Sequence, residues 1–212
     1  MALEVPVAED ICDRITATSR PEETVELSIV DAFLPPTPTT LDVGASVGNH
    51  AIYWALTHHS EITAFEPHVP ARQLLMTNIV RNGVGHSVTT HGQALGAGPG
   101  RGVSEPRQGN PGATRLRTAP DENVNVSALD SLHPQHPGLL KIDVEENEMA
   151  ALQGASHAIT ELCSIVWFEA LATADQTTVW EVMAGHVYPV ILILSPTNAI
   201  LPRRRTGYFG LA

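Results

Sequence analysis

Four acids in this chain each stand at or near the end of a short apolar run, where a strand would give way to a loop. The first, Asp42, lies in Leu41-Asp42-Val43, which runs into Gly44-Ala45-Ser46-Val47-Gly48-Asn49-His50. Gly44 permits a sharp turn and a close ligand approach, because it has no Cβ. Gly48 can do the same, or let a helix pack closely on a strand. The dinucleotide fingerprint requires a second glycine where Ala45-Ser46 stands, so that fingerprint is absent. Asp42 also suits a pyrophosphate poorly and a cationic ligand well. The second acid, Glu66 in Thr63-Ala64-Phe65-Glu66-Pro67, follows Gly44 by 22 residues. A carboxylate at that place can accept hydrogen bonds from both hydroxyls of a nucleoside ribose. The plain alternative is a solvated strand end.

The third signal is Leu140-Lys141-Ile142-Asp143-Val144-Glu145-Glu146-Asn147-Glu148, and the fourth is Val166-Trp167-Phe168-Glu169. Acids at a helix start complement the macrodipole, which accounts for Glu146 and Glu148. That explanation fails for Asp143, which is embedded in an apolar run. For Glu169 a solvated strand cap is the alternative.

These residues need elements that bring strand ends together. The spacing predicts strands over 39–43, 61–65, 87–91, 139–144, 164–168 and 187–194, with a last edge strand over 207–211. It predicts helices over 52–57, 70–81, 147–154 and 175–184, and helical material over 8–34 broken at Arg20-Pro21. Such alternation implies βαβ units and a mostly parallel α/β sheet with helices on both faces, with ligands at the carboxyl ends of the strands. Residues 1–36 read as a short N-terminal helical segment and 37–212 as the main domain. The Gly/Pro-rich stretch 96–122 interrupts the alternation. It is expected to be a substrate-facing loop or hairpin, the alternative being a mobile surface loop.

The chain has 212 residues and a net charge of −11, from 12 basic and 23 acidic side chains. That balance argues against duplex nucleic acid and anionic membrane surfaces as partners, since both are bound through cationic side chains. It suits a neutral or cationic small molecule. Lys141 is the single lysine. Cys12 and Cys163 are far apart and form no metal or disulfide motif. The start of the chain lacks the features of a signal peptide, and no apolar run is long enough to cross a bilayer, so a cytoplasmic protein is expected.

In their order, LDVGASVGNHA, TAFEPH, QALG, LDSL, KIDVEENEMAALQGA and WFEA resemble the FkbM family of S-adenosylmethionine-dependent methyltransferases, from about Thr39 to about Glu169. The resemblance implies a class I methyltransferase (Rossmann-like) fold: a seven-stranded, mostly parallel sheet with a reversed last strand. It implies methyl transfer to oxygen, commonly a hydroxyl of a sugar or a natural product. It places Asp42, Gly44, Ala45, Ser46, Gly48 and Asn49 around the methionine part of S-adenosylmethionine. Glu66 would hold the ribose with Pro67 and His68 beside it, and Gln93, Ala94 and Leu95 would lie by the adenine. Asp143 and Glu145 would flank the reacting methyl group. The family has glycine where this chain has Glu146, which could narrow the loop or add charge near the acceptor. The stretch before the first motif leaves little room for a separate substrate-binding domain.

A weakly acidic hydroxyl benefits from a general base or a metal. Asp143, Glu145, Glu169 and His50 are the candidates, with Asp143 and Glu145 first; His50 also fits a packing role in the first turn of a helix. Carboxylates at adjacent strand ends could ligate magnesium, although no metal motif indicates one. Two rivals remain: a noncatalytic binding module with the same fold, and a nicotinamide-dependent oxidoreductase, which would need the missing glycine pattern.

Overall fold

The β-branched and apolar runs of the sequence become the central strands of one sheet. The computed structural model describes residues 1–4, 23–36, 38–107, 110–118, 123–163, 165–169, 192–193 and 198–202. In chain order the main sheet uses β1 (Thr39–Val43), β2 (Glu61–Phe65), β3 (Val88–His91), β8 (Leu139–Ile142), β9 (Ile165–Glu169), β10 (Leu192–Ile193) and β11 (Asn198–Pro202). They lie in the order β10-β11-β9-β8-β1-β2-β3. β1 is parallel to β2 and β8, β2 to β3, and β8 to β9, while β11 runs antiparallel to β9. This is the expected mostly parallel sheet with a reversed strand. The reversed strand is Asn198–Pro202; the proposed edge strand 207–211 and helix 175–184 lie outside the described residues, as do 5–22.

The strands alternate faces, and each face is covered. On one side Ile62, Ala64, Leu139, Ile165 and Trp167 pack with α1 (Thr24–Phe33), α2 (Asn49–Thr57) and α3 (Val69–Arg81). On the other, Leu41, Val43, Phe65, Leu140, Ile142, Val166 and Phe168 pack with Ala151 and Leu152 of α4 (Glu148–Gly154). Strands buried on both faces read as continuous apolar runs, which is why these were visible in the sequence.

The 96–122 stretch is chiefly a hairpin. β5 (Gly100–Arg107) and β6 (Asn110–Thr118) pair antiparallel, with an irregularity between Pro106 and Arg107. They join β4 (Ala94–Leu95) and β7 (Val124–Ser127) in a second sheet ordered β4-β7-β5-β6. A hairpin is one of the two forms expected for this stretch; its glycine and proline density left the strand bounds unmarked. No helix among the described residues is long and apolar enough to cross a membrane.

Candidate functional site

Register brings the separated motifs to one edge of the sheet. Val43 lies opposite Phe65 and Ile142, Phe65 opposite His91, and Ile142 opposite Phe168. Gly44, Glu66, Gly92 and Asp143 therefore leave the sheet at the same level, and Glu169, the last residue of β9, stands at that level still paired with Asn198 of β11. The loops are tied to each other by backbone bonds. Gly44 and Ala45 both donate to the Phe65 carbonyl, at 3.0 and 3.1 Å, Glu66 donates to His91 at 3.0 Å, and Asp143 to Val43 at 2.9 Å.

Gly44 has φ +84°, and a Cβ there would overlap the Asp143 carbonyl. Glycine is thus required by both conformation and space. Gly48, at φ +95°, stands where a Cβ would come within 2.6 Å of Leu75 Cδ1, so it lets α2 seat against α3. Ser46 also takes positive φ, at 48°. Its backbone N–H donates to Glu66 Oε2 at 2.8 Å, while that of His68 donates to Oε1 at 2.7 Å. Each Glu66 oxygen thereby has a fixed direction and keeps a lone pair. Glu66 is buried, and burial pushes its carboxyl up to about 7, against the lowering effect of the two N–H donors. Burial and the nearby Arg72 guanidinium push His68 down. Gln93 is half-buried, and Ala94 and Leu95 are buried in β4.

Asp42 is fully buried, and neither of its carboxylate oxygens has a hydrogen-bond partner among the described residues. Its nearest counter-charge is Lys141, whose Nζ is 3.6 Å from Asp42 Oδ1 and 3.0 Å from Asp143 Oδ2. The Asp143 side chain keeps 29% of its surface open. Glu145 and Glu169 are half-buried at the same edge. His50 is placed differently. It packs between Trp54 and Trp167, with ring centroids 5.6 and 5.0 Å away, and its Nε2 stands 3.0 Å from Glu23 without hydrogen-bond alignment. That arrangement matches the packing alternative.

Four residues matter here that sequence reasoning passed over as site residues. Asn78 in α3 is fully buried, and its amide donates to the Val47 carbonyl at 2.9 Å, which anchors the glycine turn. Arg72 donates to the carbonyls of Glu66 and Pro67, at 2.7 and 3.2 Å. Asn147 donates to Leu95 O at 3.1 Å, joining the acidic loop to β4. Glu148 does open α4, as expected of a helix-start acid, but it is buried, and its Oε1 accepts from the Glu146 N–H at 3.2 Å. Burial pushes its carboxyl up to about 7, reinforced by Glu145 and Asp143. Polar residues on helix faces leave no apolar signal, so only packing could reveal them. Glu146 has φ 63°, the left-handed conformation that favours glycine, and its side chain is exposed. The departure from the family pattern thus keeps the turn that glycine would make. Among the described residues, no three His, Cys, Asp or Glu side chains converge as a metal site.

These features fit S-adenosylmethionine. Gly44, without a Cβ, leaves room for backbone approach, Glu66 offers two oriented acceptors, and the buried Asp42 carboxylate, ion-paired to Lys141 but without a hydrogen-bond partner among the described residues, adds negative charge that suits a cationic ligand.

Comparison with known proteins agrees. The methyltransferase FkbM domain family matches residues 42–190. An FkbM methyltransferase structure from Methylobacillus flagellatus KT shares 19% identity at a TM-score of 0.59, over 78% of this chain and 43% of that one. The chain thus spans less than half the length of that protein. A SAM-dependent O-methyltransferase from Thermotoga maritima shares 11% identity over 92% and 72% of the two chains, at a TM-score of 0.57. An rRNA methylase from Streptococcus thermophilus shares 10% over 88% and 98%, at 0.55. At such identities the likeness is one of fold, and because rRNA methylases share it, the fold gives no support to excluding a nucleic-acid acceptor. No curated protein matches the chain significantly. The family match spans well over half of the chain, which belongs to the FkbM family of S-adenosylmethionine-dependent methyltransferases.

Proposed function

We propose that this chain methylates a hydroxyl oxygen of a small molecule, a sugar or a natural-product scaffold, inside the cell. The observation that carries this reading is the meeting of Gly44, Glu66 and Asp143 at one sheet edge, with both Glu66 oxygens directed by backbone donors. When bound, the cofactor supplies an electrophilic methyl group on a positively charged sulfur.

The chain's own residues do the rest. Gly44 to Asn49 and Asp42 hold the methionine part, Glu66 and His68 hold the ribose, and Gln93 to Leu95 border the adenine. An acceptor oxygen held in line with the methyl carbon gains several kcal/mol from alignment alone. As the oxygen–carbon bond forms and the carbon–sulfur bond breaks, the hydroxyl proton must leave. Asp143, partly open and fixed by Lys141, takes that proton, with Glu145 beside it. Glu169 stands at the neighbouring strand end to orient the acceptor.

The net charge of −11 supports a small acceptor over RNA. Calorimetry with S-adenosylmethionine, followed by transfer of a labelled methyl group to a panel of hydroxyl compounds and to RNA, tests the reading. Binding with label on a hydroxyl compound is expected. Label on RNA, or no binding by the folded chain, overturns it. Asp143→Asn should keep cofactor affinity within a few-fold and lose turnover.

A further inference from the structure

The single lysine of the chain is also one of the most buried charges among the described residues. Lys141 sits in the central strand β8, with its side chain 3% exposed. Its strand neighbours in register are Asp42 on β1 and Trp167 on β9, and Asp143 follows two residues later on the same face. The ammonium donates to Asp143 Oδ2 at 3.0 Å and lies 3.6 Å from Asp42 Oδ1. Glu23, beside the start of α1, acts on it electrostatically, and His50 of α2 stands 3.0 Å beyond Glu23. Burial alone would favour the neutral amine. The facing carboxylates of Asp143, Asp42 and Glu23 outweigh it and hold the group as an ammonium.

The arrangement has a charge consequence. Asp42, one residue before the end of β1, and Asp143, the residue after β8, face one ammonium that is shared between them. Removing it would leave a fully buried carboxylate unpaired, a costly state. It would also free the Asp143 side chain to rotate.

We infer that Lys141 is a positioning residue: it pins the Asp143 carboxylate and, by offsetting Asp42, sets the negative charge felt at the reacting end of the cofactor. This rests on the proposed methyltransferase reading.

The test compares two ligands that differ only in the methyl group and its positive charge. S-adenosylmethionine and S-adenosylhomocysteine are titrated by calorimetry at pH 8 into the wild type, Lys141→Met and Lys141→Arg. A merely structural role would change both affinities together and leave their ratio fixed. Loss of the ammonium should raise the preference for S-adenosylmethionine by roughly tenfold, a modest Coulomb effect for a partly screened site. Lys141→Arg, which keeps the charge, should leave the ratio within about twofold. If Lys141→Met does not fold, Asp42→Asn compared with Asp42→Asn/Lys141→Met isolates the same effect, because the double variant keeps the trio's buried net charge at the wild-type value. In addition, selective nitrogen-15 labelling of the one lysine gives one ammonium resonance. It should be protected from rapid exchange and shift when S-adenosylmethionine is added. An unchanged ratio in folded variants, or a resonance that no ligand moves, overturns the inference while leaving the methyltransferase reading intact. A folded wild type that binds neither ligand overturns the reading itself.

Discussion

Glu66 and Glu148 are two buried carboxyls with opposite duties. Glu66 holds the ends of two loops through the N–H groups of Ser46 and His68. Glu66→Ala should weaken S-adenosylmethionine binding by roughly ten- to a hundredfold, the worth of hydrogen bonds to a charged group, measured by calorimetry. Glu148 instead accepts from the Glu146 N–H inside the acidic loop. Both carboxyls sit at about 7 in the fold, above their ordinary 4.5. The folded chain therefore holds protons that the unfolded chain has released between these values. Stability should fall as pH rises from about 4.5 to about 7, and remain lower above that window. Glu148→Gln should remove part of this slope and stabilise the protein at pH 8 by on the order of 2 kcal/mol, read from denaturant midpoints at pH 5 and pH 8. An equal gain at both pH values would count against a buried, protonated Glu148. At Glu146, where φ is 63°, replacement by glycine relieves left-handed strain but adds unfolded-state freedom. Glu146→Gly should change stability by less than about 1 kcal/mol, with cofactor binding retained.

At the scale of elements, the site depends on how closely β1 and β8 release their chains. The Gly44 turn passes directly over the Asp143 carbonyl, so any side chain must push the two strand ends apart. Gly44→Ala should cost roughly 2–4 kcal/mol and abolish cofactor binding even where the protein still folds, seen by circular dichroism and calorimetry together. α3 then acts as a brace. Its Asn78 fixes the Val47 carbonyl and also bonds Glu4 in both directions, at 2.6 and 2.9 Å, while Arg81 pairs with Glu4 at the surface. The hairpin of β5 and β6 belongs to the second sheet and is joined to β7.

At the scale of the whole molecule, three of the described acids, Asp42, Glu66 and Glu148, are buried. Lys141 lies in the central sheet opposite Trp167, whose ring meets that of Trp54 edge-on at 5.9 Å, and both indoles are essentially fully buried. Because Lys141 is the chain's one lysine and lies mid-sheet, its amine is reachable only when the sheet opens. Amine-specific labelling of Lys141, followed by mass spectrometry, should therefore track global unfolding in denaturant and be nearly absent in the native protein. Labelling well before the fluorescence transition of the tryptophans would show that β8 opens locally.

The sequence by itself determined the strands that are buried on both faces, the glycine turn and the acids at the strand ends. Apolar runs and glycine spacing are local signals, and the bounds of β1 and β2 followed from them directly. It also carried the family resemblance, and with it the cofactor. Only the tertiary structure decided how these pieces meet. Register aligned Val43, Phe65, Ile142 and Phe168, and so placed Gly44, Glu66, Asp143 and Glu169 at one edge. Packing turned His50 into an aromatic partner, made Glu148 a buried carboxyl, and set Lys141 between two carboxylates from different strands. Burial and pairing are properties of neighbours distant in the chain, and no residue pattern states them. A loop or hairpin over 96–122 was legible from composition, but the bounds of its strands were not: they lean on each other and on β7, while their glycines and prolines write the composition of a loop.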